Sequence, residues 1–256
     1  MSALSRRMLL RLAATAAAGL VRPGFALESK VPRLIEEARR LPRIGQRIAY
    51  ISHAFLGAPY IVDPLGGGAN EKEDLVLRED GFDCVTFCET VLAAARAQTP
   101  AEFKSELRRM RYRDGEVGWF ARNHYFAEWG INNTANGMCR PVALPGAVRI
   151  SKTLTYMRDL KPVTVSFGAN PRASLFDHRD RLATGDILAF VSQRPGMDVF
   201  HTGVLIVDSE TLILRNAAKS QGRVLDQRLA DFLDFNGTRQ VMILRPQEFG
   251  ELDTLG

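Results

Sequence analysis

The sequence predicts an α+β domain in which helices pack on one face of an antiparallel sheet. Helical periodicity dominates the first half of the chain, short apolar runs of strand length dominate the second half, and no Pro- or Ser-rich linker divides the two. The 256 residues are 46% hydrophobic and 25% charged, which is an ordinary globular composition. Disordered, collagen-like and disulfide-stapled classes are therefore excluded.

Residues 1–26 are predicted to form a removable export signal. Arg6 and Arg7 precede an apolar stretch at residues 12–21, and the small-residue site Gly24-Phe25-Ala26 follows it. The apolar stretch is shorter than the roughly 20 residues that span a bilayer. The arginine pair resembles the twin-arginine signal of bacteria, which indicates a periplasmic or otherwise exported protein. The alternative is an amphipathic first helix. Residues 27–256 are predicted to form a single domain.

The basic charge of the chain comes largely from this signal. The formal net charge is +5, and residues 1–26 carry four arginines and no acid, so removing them leaves +1. Nucleic acid is therefore not expected as a partner. No other apolar run approaches membrane-spanning length, so no membrane span is expected in the mature chain.

Apolar spacing and capping signals place the elements in order. Helices are predicted at residues 30–41, 43–56, 84–97 and 100–111, with Asp83 as the N-cap of the third and Pro100 in the first turn of the fourth. Residues 57–81 contain Gly66-Gly67-Gly68 and are predicted to form a loop. Strands are predicted at residues 163–167, 187–191, 200–207, 211–214 and 241–244.

Cys84 is the candidate nucleophile because it lies where the glycine-rich loop becomes a helix. The unpaired amides and positive dipole end of a helix start stabilise a thiolate, so a lowered thiol pKa is expected. The same amides can hold an oxyanion. The alternative is a buried structural cysteine.

His201 is the candidate base because it opens a predicted central strand, with His124 as the competing histidine. Asn216 ends the following strand. If residues 208–210 form a tight turn between the two strands, His201 and Asn216 lie at the same open end of a hairpin. Asn216 could then orient the imidazole, although an asparagine in that position can also be a simple turn residue.

These residues belong to a series of motifs that occur in family order across about residues 45–245. The series comprises Phe55-Leu56-Gly57-Ala58-Pro59-Tyr60, Asp63-Pro64-Leu65-Gly66-Gly67-Gly68, residues 81–87 with Glu89-Thr90-Val91-Leu92, Arg122-Asn123-His124-Tyr125 with Trp129, Gly185-Asp186-Ile187, His201-Thr202-Gly203 and Asn216-Ala217. The sequence thereby resembles the NlpC-type cell-wall hydrolases of the papain-like cysteine peptidase superfamily, and in particular their N-acetylmuramoyl-L-alanine amidase-like branch.

The resemblance implies a papain-like fold with a catalytic triad of Cys84, His201 and Asn216, and with Tyr60 and Asp83 lining the site. Many relatives have histidine at the third position, so Asn216 is a departure from the pattern. No cofactor or metal is implied. The implied activity is cleavage of a peptidoglycan or muropeptide amide, with the lactyl-to-L-alanine bond favoured over the γ-D-glutamyl-diaminopimelate bond.

The segment around residues 122–129 supplies candidate substrate contacts. A muramyl peptide offers carboxylates for a cation and sugar faces for an aromatic ring, which suggests Arg122, His124, Tyr125 and Trp129. The alternative is a group of core aromatics with a structural arginine.

Two other classes of protein stay open at this stage. Cys84 and Cys88 share a helix face and could form a zinc site with Cys139 and a histidine, although no Cys-x-x-Cys pair is present. A peptidoglycan-binding module without catalysis could use the same fold.

Overall fold

The computed structural model describes residues 29–248, and the predicted export signal at residues 1–26 lies outside them. The helices are α1 (Lys30–Ala38), α2 (Ile44–His53), α3 (Cys84–Arg96), α4 (Pro100–Arg111), α5 (Phe126–Ala135), α6 (Arg172–Asp177) and α7 (Leu229–Phe235). The strands are β1 (Cys139–Pro141), β2 (Val148–Leu154), β3 (Val163–Pro171), β4 (Ile187–Val191), β5 (Val199–Val207), β6 (Leu212–Ala218), β7 (Arg223–Arg228) and β8 (Gln240–Pro246).

All eight strands belong to one antiparallel sheet. The strand order is β2-β3-β8-β4-β5-β6-β7, and β1 pairs with β8. The prediction of an α+β domain with an antiparallel sheet is confirmed. Among the helices of residues 29–248, none combines the length and apolar character that a bilayer span needs.

The sheet buries a core on each of its faces. One face, with Ala189, Val204 and Ala217, packs against α3 and the other N-terminal helices. The opposite face, with Leu188, Phe190 and Leu214, packs against α6 and α7. The prediction that helices cover one face is therefore incomplete, because two short helices cover the second.

Helix α3 lies at the centre of the first core. It contacts α1, α2 and α4 as well as β5 and β6, and its residues from Thr86 to Arg96 are all buried. Small side chains at Ala93, Ala94 and Ala95 allow this enclosure from several sides. The first residue of α3, Cys84, is thereby held at a fixed position above the sheet.

Strands β5 and β6 form an antiparallel hairpin in which Val204 pairs with Arg215. Val207 pairs with Leu212 beside the turn, in which the Asp208 amide donates to the Thr211 carbonyl at 3.1 Å. The opposite, open end of the hairpin carries His201 and Asn216.

The start of α2 packs tightly against the turn before β4. A Cβ atom on Gly45 would lie 2.2 Å from the Thr184 carbonyl oxygen. We expect Gly45→Ala to lower the free energy of unfolding by about 1–3 kcal/mol, because the helix start must move away from the sheet. Urea unfolding measures this change in the free energy of unfolding. Gly168→Ala is the matched control, since its Cβ would meet nothing within 4 Å, and equal losses in the two variants would contradict the packing explanation.

Candidate active site

Asp83 fixes the first turn of α3. Its Oδ1 accepts hydrogen bonds from the amides of Val85 at 3.1 Å and Thr86 at 2.7 Å, and its own amide donates to Thr86 Oγ1 at 3.0 Å. This reciprocal cap uses two of the amides that were expected to hold an oxyanion. The Cys84 amide is outside the cap and is the remaining donor at the helix start.

The Cys84 thiol lies against the peptide bond that joins His201 to Thr202. The Thr202 hydroxyl donates to the Cys84 carbonyl at 2.8 Å. The main-chain amide and the hydroxyl of Thr202 also lie close enough to the thiol to lower its pKa. Thr202 therefore links the start of α3 to β5, and Cys84 is half-buried at this junction.

The surroundings of the Cys84 thiol favour its neutral form. Burial, and then the charge of Asp83, raise the pKa of Cys84 to about 12, and the donors of Thr202 oppose this only in part. The expectation of a lowered thiol pKa was wrong. The helix dipole that should stabilise a thiolate is offset by the capping carboxylate beside it, and the thiol is too well removed from water.

His201 and Asn216 form a hydrogen-bonded pair on adjacent strands. The distance from His201 Nε2 to Asn216 Oδ1 is 2.8 Å, and the Asn216 amide group faces the Leu214 carbonyl at 3.4 Å. With the Asn216 oxygen facing the ring, Nε2 carries the proton and Nδ1 carries the lone pair. Asn216 is fully buried, at 0% exposure, so its orientation is fixed by packing.

Aromatic rings hold His201 in place. Its ring stacks on Phe190 with centroids 6.2 Å apart and lies 5.3 Å from the centroid of Phe232. Burial lowers the pKa of His201, and the bond to Asn216 opposes this by a smaller amount. The imidazole is therefore neutral at neutral pH and can accept a proton through Nδ1.

A β-bulge in β5 immediately precedes His201. His201 pairs with Phe190 while Val199 pairs with Val191, so Phe200 is the extra residue of β5. Thr202 faces α3, whereas the His201 ring starts from the opposite face. Within residues 29–248, no hydrogen bond joins the Cys84 thiol, at the start of α3, to the His201 ring on β5.

Tyr60 approaches the thiol from the other side of the site. Its amide donates to the Gly222 carbonyl at 2.8 Å, at the start of β7. Burial, followed by the nearby Cys84 and Asp83, raises the pKa of Tyr60 to about 12. Its hydroxyl therefore stays protonated and can donate a hydrogen bond near Cys84.

Arg122 anchors the glycine-rich loop. Its two terminal nitrogens both donate to the Gly66 carbonyl at 3.1 Å, and it forms an ion pair with Glu73 at 3.4 Å. Its side chain is only 10% exposed. The structure thus places Arg122 inside the loop rather than free in a groove.

Polar atoms of the three aromatic candidates are bonded within the fold. The His124 ring bonds through Nε2 to the Trp119 carbonyl at 2.7 Å, and burial lowers its pKa. Tyr125 and Trp129 are core residues, at 4% and 0% exposure, so the structure does not place them where a substrate could contact them. The Tyr125 hydroxyl accepts from the Met157 amide at 2.9 Å.

Sequence reasoning missed a buried ion pair behind the site. Glu89 Oε2 accepts from Arg111 Nε at 2.7 Å, and Glu89 Oε1 accepts from Trp129 Nε1 at 3.2 Å. Arg111 also donates to the Val76 carbonyl at 2.7 Å. This pair connects α3, α4 and the loop, and a glutamate within an otherwise apolar helix was the available signal.

All three cysteines are free thiols. Cys88 lies 3.6 Å from Thr202 Oγ1, whereas Cys139 is in β1 and contacts Thr134 Oγ1 at 3.7 Å. In the described part of the chain, no three His, Cys, Asp or Glu side chains are grouped to hold a metal ion.

Comparison with known proteins gives one family and several related folds. The model of the AmiA-like family, described as N-acetylmuramoyl-L-alanine amidase-like, matches residues 50–238. A search of curated proteins finds no significant match.

Two solved structures illustrate the similarity. An N-acetylmuramoyl-L-alanine amidase from Bacteroides uniformis ATCC 8492 is 25% identical with a TM-score of 0.69, and the match covers 80% of this chain and 99% of that one. A protein of family DUF1460 from Legionella pneumophila str. Philadelphia 1 is 22% identical with a TM-score of 0.73, covering 86% and 94%. The second match shows the fold alone.

Proposed function

Since the chain belongs to the AmiA-like family of N-acetylmuramoyl-L-alanine amidase-like proteins, we propose that it cleaves muropeptides by cysteine catalysis at the lactyl-to-L-alanine amide. The observation that carries this proposal is the Cys84 thiol held against the His201–Thr202 peptide, with the His201 ring fixed by Asn216. This order of a cysteine on a helix and a histidine and asparagine on two strands supports a papain-like assignment. An exported location, predicted from residues 1–26, suits a cell-wall substrate.

The first step forms a thioester. Because the pKa values favour a neutral thiol and a neutral imidazole, His201 Nδ1 acts as general base and takes the thiol proton as Cys84 Sγ attacks the carbonyl carbon. Because Asn216 and the aromatic contacts fix the His201 ring, substrate binding must bring the thiol to Nδ1 while the Asn216 bond is kept. The imidazolium then gives its proton to the leaving L-alanine nitrogen as the carbon–nitrogen bond breaks.

The oxyanion of the tetrahedral intermediate needs donors on the side of the thiol. The Cys84 amide, which the Asp83 cap leaves unused, and the protonated Tyr60 hydroxyl are the donors that we assign to this position. Asp83 itself acts by orienting the helix start. Asp83 is therefore a positioning residue of the site.

Water completes the reaction. His201 removes a proton from water, the hydroxide attacks the thioester carbonyl, and the carbon–sulfur bond breaks to regenerate the Cys84 thiol with the proton from His201. The net change is hydrolysis of one amide to a carboxylic acid and an amine. No redox partner is consumed.

Mass spectrometry of defined muropeptides tests the bond that is cut. The mature protein is incubated with muropeptides that do or do not carry the anhydro-muramyl sugar, in parallel with Cys84→Ala. We expect free stem peptide beginning at L-alanine from the wild type only. Fragments ending in D-glutamate would transfer the assignment to the γ-D-glutamyl-diaminopimelate endopeptidase. Binding without any product would leave a peptidoglycan-binding module as the function.

A further inference from the structure

A basic pocket lies beyond the catalytic residues, between two connections of the sheet. It has a volume of about 530 Å³. The connection that follows β2 and the connection between β4 and β5 form its two walls. Its lining residues are Thr155, Tyr156, Arg158, Arg194 and Pro195.

The pocket opens at the end of the sheet that carries the catalytic candidates. The amides of Thr155 and Tyr156 both donate to the Gly196 carbonyl, at 3.0 and 3.1 Å, and this joins the two walls. The second wall leads directly into β5, whose third residue is His201. Six residues lie between Arg194 and His201, so their Cα atoms are at most roughly 25 Å apart. A five-residue extended peptide spans roughly 17 Å, and the long Arg194 side chain shortens the distance that the peptide must bridge.

The second wall is rigidly held. The Lys152 ammonium donates to the carbonyls of Ser192 and Met197. Asp198 Oδ2 accepts from the Ala127 amide at the start of α5 at 2.6 Å. The backbone on both sides of Arg194 is thereby fixed before any ligand binds, which lowers the entropic cost of binding.

The charge of the pocket is uncompensated. The Arg194 guanidinium lies over the Tyr156 ring, 5.3 Å from its centroid, and the exposed Arg158 is on the facing wall. Across residues 29–248, neither Arg158 nor Arg194 forms an ion pair, even with the neighbouring Asp159. Two planar guanidinium groups with free donors match a carboxylate, which each can bind through two parallel hydrogen bonds.

We propose that this pocket binds the C-terminal carboxylate of the stem peptide whose other end is cleaved at Cys84. The inference rests on the proposed function for the identity of the substrate. The stem carboxylate is the anionic group farthest from the scissile amide, and the pocket is set apart from the thiol at the same end of the sheet. The protein thereby selects stems with a free C-terminus over stems that are capped or extended.

The test compares two synthetic muramyl pentapeptides, one with a free C-terminal carboxylate and one with a C-terminal primary amide. We expect the wild-type kcat/KM to favour the free acid by about 10- to 100-fold, the range of a charge-assisted hydrogen bond. In the double variant Arg158→Gln, Arg194→Gln this ratio should fall close to one. Arg40→Gln is the control, because Arg40 is exposed before α2, which begins at the opposite end of the sheet beside Thr184.

A second readout separates this proposal from the proposed function. Calorimetric binding of the same two peptides to Cys84→Ala needs no turnover, and the free acid should bind about 10- to 100-fold more tightly. Equal binding of acid and amide, or a ratio that the double variant leaves unchanged, would overturn the carboxylate pocket. Selective binding by a wild-type protein that releases no product would instead overturn only the proposed cleavage.

Discussion

Replacing Cys84 by alanine is expected to lower kcat/KM for muropeptide cleavage by about 10⁴-fold or more. The methyl group cannot form the thioester, and the neighbouring Thr202 hydroxyl cannot replace the nucleophile, since it donates to the Cys84 carbonyl. Quantitative chromatography of the released stem peptide measures the loss. Circular dichroism should be unchanged, because Cys84 is half-buried and its side chain supports little of the core.

Cys139→Ala is the matched control for removal of a thiol. Cys139 is in β1, where its sulfur contacts Thr134 Oγ1 at 3.7 Å. Its loss should cost stability and leave kcat/KM within a few-fold of wild type, because nothing in the proposed reaction uses it. Turnover by Cys84→Ala at the wild-type rate would rule out cysteine catalysis even if the amidase product were correct.

Elements with a clean local signal could be predicted from the sequence. Helix α3 begins at Cys84 because Asp83 caps it, and α4 begins at Pro100. The hairpin of β5 and β6 followed from two apolar runs around a polar turn. That register alone brought His201 and Asn216 to one end of the sheet, where they are hydrogen-bonded at 2.8 Å.

Other elements were hidden because large apolar residues do not mark their buried face. Helix α5 buries Phe126, Trp129, Gly130 and Asn133 at helical spacing, but glycine and asparagine at two of these positions weaken the apolar stripe. Strand β2 is hidden for another reason, since most of its side chains are exposed at the edge of the sheet. Sequence patterns report burial only where large apolar side chains fill the buried positions.

The properties of the site depended on contacts that the sequence does not contain. The raised thiol pKa of Cys84 follows from enclosure and from the neighbouring Asp83, and enclosure is a tertiary property. Arg122 was a substrate candidate by charge, but its two terminal nitrogens bind the Gly66 carbonyl, it pairs with Glu73, and its Nε is buried without a hydrogen-bond partner in the described residues. A charged residue near a site can bind substrate only if the fold leaves its donors free.

His201 should set the pH dependence of the reaction. Its pKa is lowered by burial, so kcat/KM should be constant near neutral pH and fall only as the pH drops below the ordinary histidine value of about 6.5. No alkaline limb from the thiol is expected below pH 9, since the Cys84 pKa is about 12. His201→Ala should lower kcat by about 10³-fold or more at every pH, because both the attack and the leaving amine lose their proton carrier.

The variant Asn216→Asp tests whether Asn216 acts on the His201 imidazole or only supports the fold. A carboxylate in place of the amide stabilises the imidazolium, so the His201 pKa should rise and the acid limb of kcat/KM should shift to higher pH. Asn216→Ala removes the partner of Nε2 and should lower kcat without that shift, since burial still disfavours the charged ring. Circular dichroism and thermal unfolding establish that each variant is folded. If folded Asn216→Asp keeps the wild-type pH profile, His201 is not the titrating base, and His124, the competing histidine, becomes the next residue to replace.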